Sequence, residues 1–141
     1  MVMDFNGDGK ADLALFRPST RTWFMSATGA PLQNFTSVQW GLATDILVPA
    51  DYDGDGKDDV AVFRPSTGTW YILRSSDGGT TTTQFGSAGD IPVPGDYDGD
   101  GIDDIAVYRN GTWYLNRSTS GFSAQQFGIG TDIPVPAAYH P

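Results

Sequence analysis

Apolar residues in this chain alternate with small or polar residues over short runs, which is the period of a β-strand. In the run DVAVFR, Val60 and Val62 fall on one side of a strand and Phe63 falls on the other. The run DIPVP places proline at alternate positions, which excludes a helix and suits a strand with one unpaired side. The pattern therefore predicts an all-β fold. The strands predicted within one stretch are DVAVFR (59–64), TWYIL (69–73), TTTTQF (80–85) and DIPVP (90–94).

This pattern occurs three times, in segments that share most of their residues. The copies are DFNGDGKADLALFRPSTRTWFM (4–25), DYDGDGKDDVAVFRPSTGTWYI (51–72) and DYDGDGIDDIAVYRNGTWYL (96–115). Their first aspartates lie 47 and 45 residues apart, a spacing typical of β-propeller blades, which contain four strands each. We predict one repeat domain (1–141) with blade 1 at about 1–43, blade 2 at about 44–88, blade 3 at about 89–130 and a terminal strand at 131–141.

The third copy is two residues shorter than the others in the connection between DIAVYR (104–109) and TWYL (112–115), the equivalents of DVAVFR and TWYIL. Asn110 and Gly111 lie at that junction. Asn-Gly is strongly favoured in a two-residue hairpin turn, because both turn residues must adopt positive φ. A deletion of two residues also leaves every flanking side chain on its original face. We therefore predict that these two strands form a hairpin in all three copies.

Each copy opens with an acidic loop that resembles the calcium loop of an EF-hand but ends differently. Counted from Asp51, acidic residues occupy positions 1, 3, 5 and 9, and glycines at positions 4 and 6 let the backbone curl. An EF-hand needs a glutamate at position 12 on a departing helix, whereas Val62 occupies that position within a predicted strand. The EF-hand hypothesis therefore fails, and a shorter loop that is closed by Asp59 remains.

The distribution of charge favours a metal-binding interpretation of these loops. The formal net charge is −9, all 17 acidic residues are aspartates, and 13 of them lie in the three loops. Carboxylates about 5 Å apart repel one another by about 3 kcal/mol per pair at an effective dielectric of 20, so a bound cation is expected. Oxygen ligands alone suit calcium. The same charge argues against nucleic acid and anionic membranes as partners, and no apolar run is long enough for membrane insertion.

The motif D-x-[DN]-G-D-G-x-x-D between two strands, with Phe-Gly upstream of the next loop, resembles the FG-GAP or VCBS-type repeat. That family includes the β-propeller head of integrin alpha chains and many bacterial surface proteins. The resemblance extends over essentially the whole chain and departs from the pattern at Trp40, in place of Phe, and at Leu47, in place of Pro. It implies β-propeller blades in which each acidic loop holds one calcium ion, three ions per chain.

The resemblance also implies a set of calcium ligands at matching positions. Its side-chain members are Asp4, Asn6, Asp8 and Asp12 in the first loop, Asp51, Asp53, Asp55 and Asp59 in the second, and Asp96, Asp98, Asp100 and Asp104 in the third. Backbone oxygens of Lys10, Lys57 and Ile102 would join them. Asp58 and Asp103 align with Ala11, so we expect them to be solvated rather than to bind metal.

Three blades are fewer than the four to eight of a closed propeller. Residues 1–3 (MVM) supply only the stub of a first strand, whereas 132–140 (DIPVPAAYH) is a first strand whose blade is absent. We expect the terminal strand of one chain to complete blade 1 of another, giving a homodimeric six-bladed ring; the alternative is a fragment of a longer propeller. The first ten residues contain no apolar signal-peptide core, so the protein either stays inside the cell or is an excised piece of something longer.

Two other residue types recur in every copy. Trp23, Trp70 and Trp113 are candidate ligand-stacking residues, although a packing role between blades is favoured because large apolar residues are usually buried. Arg17, Arg64 and Arg109 are expected to pair with Asp45, Asp90 or Asp132, or with a carboxylate of an acidic loop.

The chemistry of the sequence favours binding over catalysis. His140 is the only histidine, so a Ser-His-Asp triad has no suitable base, and no enzymatic activity is expected. The leading hypothesis is a non-catalytic interaction or adhesion scaffold, secreted or at the cell surface, with a protein ligand. The alternative is a calcium-dependent glycan-binding lectin, and a more remote one is a fragment of a polysaccharide-active enzyme.

Overall fold

The computed structural model describes residues 3–27 and 34–135, and within these residues every regular element is a β-strand. The all-β prediction is therefore confirmed, and no helix that could span a membrane occurs in the described part of the chain. The strands are β1 (Leu13–Arg17), β2 (Thr22–Ser26), β3 (Thr36–Gln39), β4 (Ile46–Leu47), β5 (Val60–Arg64), β6 (Thr69–Leu73), β7 (Thr80–Gln84), β8 (Ile91–Pro92), β9 (Ile105–Arg109), β10 (Thr112–Arg117) and β11 (Gly121–Gln126).

The strands form three antiparallel sheets in which sequence neighbours pair. Sheet I has the order β1-β2-β3, sheet II β4-β5-β6-β7 and sheet III β8-β9-β10-β11. The expected four strands are therefore present in the second and third repeats, whereas the first has three within the described residues, where the expected first-strand stub at 1–3 is described only at Met3. β4 and β8 come from the segment just before an acidic loop, and before the first loop the described residues supply only Met3, which forms an isolated bridge with Asp12.

The predicted terminal strand at 131–141 is described only in part. Residues 131–135 form no strand. Residues 136–141, including His140, lie outside the described residues.

Each acidic loop leads into a strand hairpin whose turn follows the sequence. In sheet III, β9 and β10 are joined by Asn110 at φ 49° and Gly111 at φ 81°, which confirms the predicted hairpin. In sheet II the connection between β5 and β6 is two residues longer and ends at Gly68, with φ 63°. The paired residues remain equivalent: Phe63 lies opposite Trp70, and Tyr108 lies opposite Trp113.

The hydrophobic core lies between consecutive sheets. At the junction of sheets I and II, Trp23 of β2 belongs to the same buried cluster as Val60 and Val62 of β5. At the junction of sheets II and III, Trp70 of β6 clusters with Val107 of β9 in the same way. The second hairpin strand of one sheet thus packs on the first hairpin strand of the next, and this repeated contact sets the acidic loops beside one another.

The glycine of each Trp-Gly or Phe-Gly pair allows this close packing. A Cβ atom on Gly41 would lie 2.9 Å from Cγ1 of Val62, and one on Gly86 would lie 3.1 Å from Cγ1 of Val107. Both glycines also have positive φ, at 89° and 114°. The Gly of the motif is therefore needed for conformation and for space at the sheet junction.

Candidate metal centre

The first aspartate of each acidic loop organises the backbone of that loop. Asp51 Oδ1 accepts the backbone N–H groups of Gly54 and Asp55 at 2.8 and 3.2 Å, and Asp51 Oδ2 accepts that of Gly56 at 2.9 Å. The loops that begin at Asp4 and Asp96 repeat this arrangement. The backbone of the loop therefore folds around one carboxylate. This conformation needs positive φ at Gly54 and Gly56, which explains the two glycines of the motif.

This curling gathers other carboxylates at the same point. In each loop three aspartates place oxygens within 4.8 Å of one another. The groups are Asp4, Asp8 and Asp12, then Asp51, Asp53 and Asp59, then Asp96, Asp98 and Asp104. The other predicted ligands, Asn6, Asp55, Asp100 and the backbone at Lys10, Lys57 and Ile102, belong to the same three loops. The structure thus brings together three acidic clusters that could each hold a metal ion.

The aspartate that closes each loop is buried at the start of a strand. Asp59 is fully buried, and its carboxylate accepts the N–H groups of Tyr52 at 2.8 Å and Ser75 at 2.7 Å. Burial raises the pKa of Asp59 to about 6, although these hydrogen bonds oppose the rise. Burial likewise raises the pKa of Asp104, its counterpart in the third loop. A buried carboxylate of this kind would be held in its ionised form by a cation.

Unpartnered oxygens show that the donor sets fit a cation. Within the described residues, Asp12 Oδ1 and Asp98 Oδ1 are buried and have no hydrogen-bond partner. Leaving a buried carboxylate oxygen unpaired is costly, and a hard cation with oxygen ligands would satisfy it. Burial, reinforced by the neighbouring carboxylates of Asp53 and Asp55, also raises the pKa of Asp51 against the lowering effect of two backbone N–H groups. The residues present therefore suit a divalent ion.

The turn between β6 and β7 supports the second loop, a contribution that the sequence analysis missed. Ser75 Oγ donates to Asp55 Oδ2 at 2.7 Å, and the Ser76 N–H donates to Asp53 Oδ2 at 3.3 Å. These bonds orient two predicted ligands from outside the loop. The signal that could have identified the turn is the Arg-Ser pair that follows the TWY strand in both the second and third copies.

The third loop has the same support from the turn between β10 and β11. The hydroxyls of Ser118 and Thr119 both donate to Asp100 Oδ2, and the Thr119 N–H donates to Asp98 Oδ2 at 3.0 Å. The two hydroxyl donors lower the pKa of Asp100 to about 2, so this carboxylate stays ionised.

The expectation that Asp58 and Asp103 are solvated is wrong, because both are buried at a sheet junction. The Asp58 carboxylate accepts the N–H of Asp4 at 2.7 Å, and the Asp58 N–H donates to the carbonyl of Asp4 at 2.8 Å. Asp103 makes the same pair of bonds to Asp51, at 2.9 and 2.8 Å. We call each pair of bonds an aspartate latch. The latches fasten the first loop to the second and the second loop to the third.

The recurring arginines mostly pair as expected. Arg64 binds both carboxylate oxygens of Asp45 at 3.0 Å, and Arg109 binds both of Asp90 at 2.6 Å. Each guanidinium also lies over an aromatic ring of the next strand. Arg17 lies over Phe24 in the same way, but it is exposed and forms no ion pair with any described residue.

The recurring tryptophans have their indole N–H groups committed to backbone carbonyls. Trp23 donates to Trp40 at 3.2 Å, Trp70 donates to Phe85 at 2.9 Å, and Trp113 donates to the equivalent Phe-Gly carbonyl at 2.9 Å. Trp23 and Trp70 are buried beneath the next sheet, whereas Trp113 is half-buried. Of the three candidate ligand-stacking rings, only that of Trp113 is therefore accessible in this structure.

Comparison with known families agrees with this architecture. A family model described as an FG-GAP-like repeat matches residues 4–62 and again residues 51–107, so that the two matches together span most of the chain. Neither a search of curated proteins nor a search of solved structures found a significant match. The matched segments contain the three acidic loops and both aspartate latches. The chain belongs to the FG-GAP-like repeat family.

Proposed function

We propose that this chain is a calcium-binding β-propeller module that acts as a non-catalytic interaction or adhesion scaffold. The observation that carries the proposal is the coupling of each acidic cluster to a sheet junction. The second loop, for example, holds a cluster of three aspartates and is latched through Asp51 to Asp103 of the third. A cation in such a loop would neutralise clustered charge at the point where two sheets meet, which is a structural role.

Calcium is the ion that best fits these donor sets. Each loop offers carboxylates, one offers the amide oxygen of Asn6 as well, and none of the loops contains a histidine or cysteine that would suit a softer metal. Three bound ions per chain would change the formal charge from −9 to −3. The ion would supply positive charge and ligand bonds, while the chain supplies the curled backbone, the closing aspartate and the supporting serines.

The family supports a proposal for the wider biological setting. FG-GAP-like repeats are typical of propeller-type interaction modules and are often found in extracellular proteins, so we place this chain outside the cell or at its surface, with a protein ligand. The repeat family is typically non-catalytic. Homo-oligomerisation, with a dimer favoured, is part of this proposal.

Calorimetric titration of the metal-free chain with calcium tests the proposal. We expect three ions per chain, and we expect a chelator to lower the melting temperature, since ligands that bind only the folded state stabilise it. Asp59→Asn and Asp104→Asn should each remove one ion. Ser66→Ala, in the exposed turn between β5 and β6, serves as the control. A melting temperature that chelator leaves unchanged would contradict the calcium proposal.

A glycan-binding lectin remains the second candidate, and one groove favours it. The groove has a volume of about 290 Å³, lies between sheets II and III, and is lined by hydroxyl, amide and guanidinium groups that suit a sugar. Its polar residues include Thr81, Asn116 and Arg117. A glycan array in calcium tests this candidate: binding that Asn116→Ala abolishes would favour the lectin, and an array without signal would leave the scaffold.

A further inference from the structure

The two junctions inside the chain define how one sheet of this repeat packs on the next. Trp70 of sheet II is 0% exposed because Val107 of sheet III covers it, and Trp23 of sheet I is 3% exposed beneath Val62 of sheet II. The same four features recur at both junctions: a covered tryptophan, a branched aliphatic residue above it, an added short strand and an arginine–aspartate pair. They form a template for any further junction.

The face of sheet III that would form the next junction is open. Trp113, Leu115, Tyr97 and Phe127 line an apolar hollow of about 230 Å³, and Phe127 is 73% exposed. These residues are the equivalents of the ones that sheet III covers on sheet II. An exposed apolar face of this kind marks a docking surface.

The matching face of sheet I is also open. Leu13 and Leu15 occupy the positions of Val60 and Val62, yet they are 62% and 55% exposed instead of 7% and 0%. Branched or aliphatic side chains at these two positions are the ones that cover the tryptophan at both inner junctions. Sheet I therefore exposes the aliphatic face of a junction, which we call its head, and sheet III exposes the tryptophan face, which we call its tail.

The segment 131–135 is the equivalent of the short strand that crosses each inner junction. Val48 and Val93 are buried and donate their N–H groups to Ala61 at 3.0 Å and Ala106 at 2.8 Å. Val135 occupies the same position but is 87% exposed. The outer edge of β1 is the surface that such a strand would add to, since β4 and β8 add to β5 and β9.

The charges at the two open faces indicate which partner would cover them. Asp45 and Asp90 each accept a local backbone N–H and pair with the arginine of the following hairpin. Asp132 is already held in that local geometry, because its carboxylate accepts the N–H of Ile129 at 2.9 Å. Asp132 and Arg17 are both exposed, and of the three repeated aspartates and three repeated arginines they are the two that form no ion pair within the described chain.

We propose that a second copy of this chain docks its sheet I on sheet III, with Leu13 and Leu15 filling the hollow beside Trp113 and with Arg17 pairing with Asp132 of the first copy. Residues 131–135 of the first copy then add a fourth strand to the second copy's sheet I. The interface is head-to-tail, and two copies that use it twice form a closed six-sheet ring. This inference rests on the proposed oligomeric scaffold and names the residues that carry it.

Charge-reversal variants of the whole chain, studied by sedimentation velocity in calcium, test the proposal. We expect the wild type to form a dimer at micromolar concentration, twice the chain mass of 15.1 kDa. Arg17→Asp and Asp132→Arg should each weaken self-association by about tenfold or more, because like charges then face each other. Mixing the two variants should restore the dimer, since both junctions of the mixed ring contain opposite charges. The mixed sample also shows that each variant is folded.

Two controls separate this proposal from the calcium proposal. Asp77→Arg, which reverses an exposed charge away from both faces, should leave the dimer unchanged. Trp113 fluorescence should shift to the blue on association. This shift is measured as the difference between the wild type and Trp113→Phe, both of which retain Trp23, Trp40 and Trp70. A wild-type chain that binds three calcium ions but stays monomeric at high micromolar concentration would overturn the docking proposal alone. A mixture that fails to associate, while each variant binds calcium normally, would also overturn it.

Discussion

Asp58 and Asp4 lie 54 residues apart in the sequence and are joined by two hydrogen bonds. The Asp4 N–H donates to the Asp58 carboxylate, and the Asp58 N–H donates to the Asp4 carbonyl. Asp103 and Asp51 repeat the relationship one junction later. Asp4 and Asp51 are also the residues that curl their own acidic loops. The shape of a candidate metal site and the contact between two sheets therefore depend on the same residue.

Removing a latch should destabilise the fold even where the acidic cluster remains intact. Asp58→Ala leaves the N–H of Asp4, which is half-buried, without its acceptor, so we expect a loss of about 1–3 kcal/mol in the free energy of unfolding. Urea denaturation in calcium measures it. Asp77→Ala removes the same charge from an exposed pair and should cost less than about 1 kcal/mol. Equal losses in the two variants would contradict a latching role for Asp58.

Substituting Gly86 or Gly89 by alanine should show how much of the stability depends on close packing and how much on backbone conformation. A Cβ atom on Gly86, at φ 114°, would approach Val107 and Asp90 to 3.1 and 3.2 Å, whereas Gly89, at φ 86°, has no atom within 4 Å of that position. We expect Gly89→Ala to cost about 1–2 kcal/mol from backbone strain alone. Gly86→Ala should cost about 1–3 kcal/mol more, because the sheets must also move apart. Thermal or urea unfolding compares them, and equal costs would show that the junction is not tightly packed.

The stabilisation by calcium should depend on pH through Asp59. Its pKa in the metal-free fold is about 6, above the ordinary 3.8, so protonation of Asp59 stabilises the metal-free chain and that contribution is lost as pH rises through about 6. Calcium needs the ionised carboxylate, so its affinity should rise over the same range. The difference in melting temperature between calcium-loaded and metal-free protein should therefore widen from pH 5 to pH 7.

The matched control for this pH dependence is Asp59→Asn, which cannot titrate. In that variant the difference in melting temperature should change less between pH 5 and pH 7. The pH dependence that remains would come from other buried carboxylates such as Asp104, whose pKa is also raised by burial. A difference that is constant over this range in the wild type would contradict the assignment of Asp59 as a ligand.

The serines outside the loops should tune calcium affinity without being essential for the fold. Ser75→Ala removes the hydroxyl that donates to Asp55 Oδ2, so this carboxylate loses one of the bonds that orient it. We expect calcium affinity at one of the three sites to fall by about threefold to tenfold, since a net hydrogen bond contributes about 1 kcal/mol. Calorimetric titration measures the change. Ser66→Ala, in the exposed turn between β5 and β6, should leave all three affinities unchanged.

The features that depend on local spacing were predictable from the sequence. The alternation of Val60 to Phe63, the Asn110-Gly111 turn and the acidic positions of each loop require only residues that are close along the chain, and the structure contains the predicted strands, hairpin and clusters. The Arg64–Asp45 pair was also predictable, because both residues recur at a constant separation from their loops. Repetition made these local signals strong.

The features that depend on contacts between repeats were not predictable in the same way. Asp58 and Asp103 align with Ala11, and a position that varies among copies suggests a solvated side chain. Their partners belong to the preceding repeat, so the hydrogen bonds cross a sheet junction that a comparison of aligned copies does not include.

The aspartate latches have a direction: a later repeat always completes an earlier one. Duplicating the second or the third unit, which carry the latch residues Asp58 and Asp103, would therefore supply a new acidic loop together with the hydrogen bonds that join it to the preceding loop. Such a chain can lengthen by copying without any compensating substitution elsewhere, which suits an architecture built from nearly identical modules.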